Sequence, residues 1–411
     1  MHKETGRFPN PVVVIGTGQT PLGVARALGR HGIDVFAVSK KRDPVVFSKY
    51  CKRSFTTNET RLHKGILKRL LIEIGKSLSK RAVVYPTSDM DALNLAELKN
   101  ELSDDYFFVV GDKEAVETLV NKKKFYRVLS SVGIAHPQTY FPENVKEAHK
   151  LATELNYPTF VRPAITQLFS WGFPKSGKGF VAYSPRELAD YYCLATQHGI
   201  DVMFQEIVPG PPTNSYQIEG YYNSEYNPLV LFARQRLRIW PPDFGNTTLC
   251  VSTPMVNLSE EKDSINKLIA AIRYKGFASA EFKKDERDGA LKLLEINARP
   301  WWHFWLSESC GVDIALTSYL DAIGEVGGIA PRAHYELGVK SANLLDDFMA
   351  ATDMLRNKKL NFHEWAASLR GVRCDSFLSK DDLAPLVIAY LKAGSKLFKR
   401  AKESFVMPYK H

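Results

Sequence analysis

The stretch from Ala280 to Pro300 constrains this chain more than any other. It reads as a β-hairpin: a strand of alternating apolar residues, a charged turn containing Asp288-Gly289, and a second strand. Glu295, Asn297 and Arg299 fall two residues apart and so share one face of the second strand. Glu281 and Glu295 lie symmetrically about position 288, which sets them opposite each other across the hairpin. Like charges facing each other on a sheet are destabilising. A divalent cation relieves the repulsion, and oxygen ligands of this kind suit magnesium held together with nucleotide phosphates. The hairpin points to metal-assisted nucleotide chemistry.

The rest of the chain supplies a setting for it. Residues 11–39 read as the strand Val12–Ile15, a glycine turn, a helix from Leu22 to His31 stopped by Gly32, and the strand Val35–Val38. A helix from about Leu62 to Leu78, a strand Ala82–Tyr85, a helix Asp89–Leu98 and a strand Phe107–Val110 continue the alternation. Strands alternating with helices predict an α/β domain with a doubly wound parallel sheet, assigned to residues 1–116. An α+β unit follows over residues 117–325. Its first part, 117–203, holds a helix Asn121–Val132, a strand Thr159–Arg162, a glycine- and lysine-bearing loop Trp171–Gly179 and a helix Pro185–Gln197. Its second part, 204–325, is mostly strands, with one helix at about Glu260–Tyr274. Residues 326–411 read as a mainly helical extension.

Composition narrows the function classes. A chain of 411 residues with 45% hydrophobic content can build two to three domains. Lys+Arg outnumber Asp+Glu 55 to 45, and the resulting charge of +10 suits anionic ligands or an acidic membrane surface. No basic-aromatic block of the nucleic-acid modules occurs, so no nucleic-acid partner is expected. Cys51, Cys193, Cys250, Cys310 and Cys374 are widely spaced and form no C-x-x-C pair, which predicts free thiols. No apolar signal core follows Met1, and no window approaches about eighteen uncharged apolar residues. A soluble, cytoplasmic protein is the expectation.

Two nucleotide readings compete. In Gly16-Thr17-Gly18-Gln19-Thr20-Pro21-Leu22-Gly23 the third glycine comes two places later than the dinucleotide fingerprint requires. Ser39-Lys40-Lys41-Arg42 lacks the acidic residue that holds an NAD ribose, although its basic residues suit an NADP 2′-phosphate. An NADP-dependent oxidoreductase is thus one reading, and it leaves the Glu281/Glu295 hairpin without a purpose. The α+β unit gives a more coherent order: Asn121-Lys122-Lys123-Lys124, a basic glycine loop, an apolar strand ending Gln205-Glu206-Ile207-Val208-Pro209-Gly210, then the carboxylate hairpin. Glycines let backbone N–H groups close over phosphates and lysines neutralise them. The apolar strand offers a slot for adenine.

This order resembles the ATP-grasp superfamily and, within it, the carboxylate–amine ligases related to D-aspartate ligase. The likeness runs from about Glu117 to Tyr319, and residues 1–116 resemble the α/β domain that precedes it in such enzymes. Its most specific part is Glu281-Phe282 with Glu295-Ile296-Asn297-Ala298-Arg299, matching the family's E-F…E-I-N-x-R metal-binding pattern. Asn121-Lys122 through Pro137 resembles the family's opening, with Asn in place of Asp. The resemblance implies that Lys122 and Arg162, the latter standing where the family has Lys, contact the phosphates of ATP. It implies that Ser176, Gly177, Lys178 and Gly179 form a mobile lid and that Gln205, Glu206 and Val208 line the adenine pocket. Glu281, Glu295 and Asn297 would hold magnesium, or manganese, and Arg299 would stabilise the transferring phosphoryl group. Pro211-Pro212-Thr213-Asn214 occupies the place of the family's ribose-binding acid. The implied reaction forms an acyl phosphate from a small-molecule carboxylate, which an amine then captures, with substrates of amino-acid or peptide type. The departures at Asn121, Arg162 and Pro211 keep a third reading open, a catalytically degenerate nucleotide-binding regulator.

The substrate end is partly legible. Arg234, Arg236 and Arg238 alternate along one strand and are expected to share a face, which suits bidentate carboxylate recognition and makes Arg238 a candidate catalytic residue. The same spacing fits a salt-bridged strand. Trp301, Trp302, His303, Phe304 and Trp305 fit core packing or a substrate wall, with His303 as a candidate base for the amine. From Ala384 to Phe405, Leu386, Val387, Ile388, Leu391, Leu397 and Phe398 mix with Lys392, Lys396, Lys399, Arg400 and Lys402. Such a basic amphipathic helix either docks on the protein or makes weak peripheral contact with acidic lipid. A homo-oligomer is allowed.

Overall fold

Three β-sheets organise the chain, which a computed structural model describes over residues 8–57, 63–174, 176–242, 244–326 and 334–394. The strands β1 (Val12–Ile15), β2 (Val35–Ser39), β3 (Cys51–Thr56), β4 (Ala82–Pro86) and β5 (Tyr106–Phe108) form a parallel sheet in the order β3-β2-β1-β4-β5. Both β1 and β4 are buried at every position, which is why they read as unbroken apolar runs. Strand order reverses between β1 and β4, so their carboxyl ends open a crevice of the kind that receives ligands. At that crevice Ser88 caps the helix Asp89–Leu98, its Oγ accepting the Asp91 N–H at 3.1 Å.

The Gly16 turn has a different occupant from the one a dinucleotide reading needs. The Gly18 N–H, at the mouth of the helix Gln19–Arg30, donates to both carboxylate oxygens of Asp43 at 3.0 and 3.1 Å. A helix N-terminus attracts an anion, and here the chain provides its own. Lys40, Lys41 and Arg42 are exposed. The NADP-dependent oxidoreductase reading loses the Gly18 N–H that would face a dinucleotide's phosphates.

The strands β6 (Thr139–Tyr140), β7 (Thr159–Pro163), β8 (Phe180–Ala182) and β9 (Val202–Glu206) form a small antiparallel sheet, ordered β6-β9-β7-β8. Phe169, Leu188 and Phe204 pack beneath it with the helices Val145–Glu154 and Pro185–Gln197. The main sheet contains β10 (Ser215–Tyr222), β11 (Pro228–Trp240), β12 (Asn246–Ser252), β13 (Gly276–Lys284), β14 (Leu291–Asn297), β15 (Lys340–Ala342) and β16 (Val372–Asp375). Its order is β14-β13-β10-β11-β12-β15-β16.

Three expectations change. The extension is not simply helical: beside the helices Leu344–Arg356 and Phe362–Ser368 it adds β15 and β16 to the main sheet. Such short strands carry too few residues to show a period, and their pairing covers the edge that β12 would otherwise expose. The loop expected over Trp171–Gly179 begins as the end of a helix, Thr166–Gly172, which has no side-chain cap to announce it. The boundary expected at 116/117 falls inside the helix Lys113–Val120, whose Ala115, Val116, Leu119 and Val120 join a core shared with Ala280, Phe282 and Ile296 of the main sheet.

No helix among the described residues is long and apolar enough to cross a membrane. Residues 384–394 are helical, with Val387, Tyr390 and Leu391 exposed. The remaining basic segment, including Lys396, Lys399, Arg400 and Lys402, lies outside the described residues.

The extension is tied to the first sheet by a buried ion pair. Arg26 Nε donates to Asp382 Oδ2 at 2.9 Å, and the two side chains are only 6% and 2% exposed. Ser48 Oγ and the Lys49 N–H donate to the same carboxylate at 2.7 and 2.9 Å. Removing one partner strands the other charge in a dry site. Asp382→Ala is therefore expected to destabilise the protein by about 3–5 kcal/mol in chemical denaturation. A loss near zero would show that the extension does not depend on this pair.

Candidate active site

The β13–β14 hairpin opposes Glu281 to Glu295 and Ser279 to Asn297, as the symmetry about position 288 predicts. A bulge makes this so. Nearer the turn, Lys284 pairs with Leu291, Lys283 with Lys292 and Phe282 with Leu293. Continuing that register would bring Leu294, not Glu295, opposite Glu281. The extra residue resets the alternation and brings both carboxylates to one face. Neighbours pin the bulge: Tyr126 Oη donates to the Leu294 carbonyl at 2.5 Å, and the Leu293 N–H donates to the Ala135 carbonyl at 2.9 Å. The turn is fastened to the end of β9, where Arg287 Nη2 and Lys292 Nζ reach Glu206 at 2.7 and 3.1 Å. Arg287 and Lys292 also hold the Asp285 carboxyl well below the usual carboxylate range, against the opposing effect of burial.

Cations gather around the carboxylate pair. Glu295 lies 3.0 Å from Arg162 Nη2 and 3.4 Å from Lys122 Nζ, and Glu281 lies 2.9 Å from Arg236 Nη2. Burial by itself would raise the pKa of Glu295, but Lys122, Arg162, Lys178 and Arg299 outweigh it and hold the group well below its ordinary value. The carboxylate stays ionised at neutral pH. Between the small and main sheets lies a cleft of about 370 Å³, bordered by these carboxylates, Arg162, Lys178 and Arg236, and by Phe160, Ile207, Val208 and Leu294.

Two of the three departures from the family pattern, Asn121 and Arg162, have structural accounts. Asn121 caps the helix Lys122–Val132, its Oδ1 accepting the Lys123 and Lys124 N–H groups at 3.0 and 3.2 Å, a task Asn performs as well as Asp. Arg162 uses its planar fork on three partners. Nη1 donates to Gln205 Oε1 at 2.8 Å and Tyr126 Oη at 3.0 Å, while Nη2 holds Glu295. The point charge of a lysine does not reproduce that fork. Gln205 in turn donates to Thr139 Oγ1 at 2.8 Å, so its side chain orients Arg162 rather than facing a ligand edge. In the glycine loop, Lys178 borders the cleft and donates to Asn246 Oδ1 at 3.4 Å, whereas Ser176 and Gly177 shape the loop. A Cβ on Gly179 would sit 2.6 Å from the Phe160 ring and the Val161 carbonyl, so the loop lies on β7 only with glycine there.

Two expected residues are elsewhere. Register shifts leave Arg236 opposite Cys250 but Arg238 opposite Leu249, which turns Arg238 to the other face of the sheet. Arg238 is buried against Asp347, at 2.6 and 2.8 Å, and Ser368 Oγ. Arg234 is spent on a buried pair with Glu219 at 2.8 Å, so of the three arginines Arg236 alone borders the cleft. His303 is fully buried, with Nδ1 against Ser341 Oγ at 2.8 Å and Nε2 donating to the Thr247 carbonyl at 3.0 Å. Burial, with Arg234 adding to it, holds its pKa down to about 3. With both ring nitrogens engaged in the core, it cannot serve as the amine's base. Trp301, Phe304 and Trp305 are core residues.

One contact was not anticipated. Arg299 Nε donates to Asp89 Oδ1 at 3.0 Å, and its Nη2 donates to Asn297 Oδ1 at 3.1 Å. The other Asp89 oxygen accepts from Gln167 Nε2 at 3.1 Å. Asp89 therefore joins the β1/β4 crevice, the helix Thr166–Gly172 and the carboxylate end of the hairpin. Its only signal in the sequence is its place just after the capping Ser88 at the end of β4. Nearby, burial raises the Asp91 carboxyl to about 6 despite the Ser88 hydroxyl that donates to it.

Glu281, Glu295 and Asn297 present hard oxygen donors on adjacent strands, a set that fits magnesium. Among the described residues no group of three or more His, Cys, Asp or Glu gathers to hold a metal alone. An ion at the hairpin therefore needs further oxygens, which phosphates provide.

No protein-family model matches the chain. The D-aspartate ligase of Enterococcus faecium is 26% identical over 238 residues, which are 56% of this chain and 56% of that protein. The chain thus spans little more than half the length of this relative. N5-carboxyaminoimidazole synthetase from Staphylococcus aureus, complexed with ADP, superposes with a TM-score of 0.63 and 16% identity over 88% of this chain and 87% of that one. The biotin carboxylase domain of Hydrogenobacter thermophilus 2-oxoglutarate carboxylase, a dimer in complex with MgADP and bicarbonate, gives 0.61 and 18% over 80% and 72%. With its small sheet, main sheet and opposed carboxylates assembled in this way, the chain shares the fold of these proteins and resembles the ATP-grasp carboxylate–amine ligases.

Proposed function

We propose that this chain is an ATP- and magnesium-dependent ligase that joins a small carboxylate to an amine through an acyl phosphate, with substrates of amino-acid or peptide type. One observation carries the reading: two opposed carboxylates, Glu281 and Glu295, lie among Lys122, Arg162, Lys178, Arg236 and Arg299. The cations outnumber the carboxylates, as binding of a polyphosphate requires. The likeness to proteins complexed with ADP or MgADP supports the same choice of cofactor.

In this reading Glu281, Glu295 and Asn297 hold the magnesium ion, which when bound neutralises charge on the phosphates. Lys122 and Arg162 grip the phosphates from the small-sheet side, and Lys178 closes over them from the lid. A carboxylate oxygen of the acid attacks the γ-phosphorus and ADP departs. The amine nitrogen then attacks the acyl carbon, loses a proton, and releases phosphate that retains the acid's oxygen. No protein nucleophile is needed; the chain supplies alignment and charge. Arg299 meets the charge on the transferring group, in an orientation set by Asp89 and Asn297. Arg236 takes the place expected of Arg238 as the arginine on the cleft.

Glu295→Gln is expected to keep the fold and to cut ADP release by about a hundred- to a thousandfold, the scale of one electrostatic contact of roughly 3–4 kcal/mol in a comparable site. Near-normal ADP release would contradict the metal assignment. Asp89→Ala should lower kcat about tenfold or more by freeing Arg299, with MgADP affinity unchanged and partial recovery in Asp89→Glu. An equal loss of nucleotide affinity would show that Asp89 serves the fold and not the reacting end.

A further inference from the structure

The turn joining β11 to β12 holds an aromatic ring over the mouth of the cleft. Phe244 lies parallel to Phe160, with ring centroids 4.5 Å apart and planes within 10°. Phe160 comes from β7, on the opposite side of the cleft, and is 6% exposed, whereas Phe244 is 39% exposed. Both border the cavity that Ile207, Val208, Lys178 and Glu295 share. Phe244 has a φ of +55°, a left-handed conformation that is costly for a residue with a bulky side chain. The turn is also tight: a Cβ on Gly245 would sit 2.0 Å from the Pro241 carbonyl oxygen. A strained turn thus presents a half-exposed ring where an ordinary loop would carry a polar residue.

This pairing has room for a guest only if it opens. A stacked base occupies a layer of about 3.4 Å, so a base held between two rings needs them about 7 Å apart. On the same turn's far side Asn246 meets Lys178 of the lid, so turn and lid already touch across the cleft. We propose that Phe244 is a nucleobase clasp: the base of the bound nucleotide enters between Phe160 and Phe244, and Phe244 covers its outer face. The idea rests on the nucleotide reading above and deepens it by assigning a base-stacking residue. Rings of this kind accept any base through its π-face, so the clasp contributes affinity and residence time more than base choice.

The test is a calorimetric titration of wild-type protein, Phe244→Ala and Phe244→Tyr with two probes, MgADP and magnesium tripolyphosphate. The wild type should bind both. Phe244→Ala should weaken MgADP by about ten- to a hundredfold while leaving tripolyphosphate, which has no base, unchanged, and Phe244→Tyr should restore MgADP. Melting temperatures of the variants should match the wild type, since the ring is half-exposed. Phe244→Ala binding MgADP equally or more tightly would overturn the clasp, as would an equal loss of both probes. A wild-type protein that binds neither probe would overturn the nucleotide reading, and the clasp with it.

Discussion

The structure turns on the repulsion between Glu281 and Glu295. Two carboxylates fixed across a hairpin need positive charge, and several separate segments of the chain send it. Lys122 and Arg162 come from the unit around the small sheet, Lys178 from the glycine loop, Arg236 from the main sheet itself. Arg299 arrives beside them held by Asp89 of the first sheet's crevice. The pair is thus the point at which three sheets are made to converge. The same convergence leaves a cleft rich in cations, which is what a polyphosphate needs and what a bare metal site would not.

Much of this was legible because it is local. The parallel sheet appears as alternating apolar runs and helices, and the hairpin as two strands about Asp288-Gly289. The glycines and lysine that place Lys178 at the cleft also stand in order in the sequence. What escaped depends on register or on distant partners. One extra residue in β11 sends Arg238 to Asp347 rather than to the cleft, and no periodicity argument foresees a bulge. His303 reads as a base until the fold buries it against Thr247 and Ser341. Asp89 gains its role only from Arg299, 210 positions away in the chain. The glycine turn at Gly16 matched half of a dinucleotide motif, yet Asp43 satisfies its N–H.

The extension from Lys340 onward is structural in a specific sense. It caps the main sheet with β15 and β16, it receives Arg238 through Asp347, and through Asp382 it returns to Arg26 at the first sheet. Buried pairs of this kind are weak stabilisers compared with apolar packing, but breaking one is costly. They therefore fix how the extension seats more than how strongly it holds. The seating matters because Thr247 of β12 also accepts Arg236 Nε at 2.9 Å, beside the carboxylate pair.

The central claim is that a carboxylate oxygen attacks the γ-phosphorus of ATP and leaves with the phosphate. The most direct measurement uses the acid of whichever acid–amine pair elicits ADP release, labelled with ¹⁸O in its carboxyl group. Mass spectrometry of the inorganic phosphate should then show one ¹⁸O per phosphate formed, with the other retained in the amide. Phosphate free of label, or AMP and pyrophosphate in place of ADP, would contradict the account.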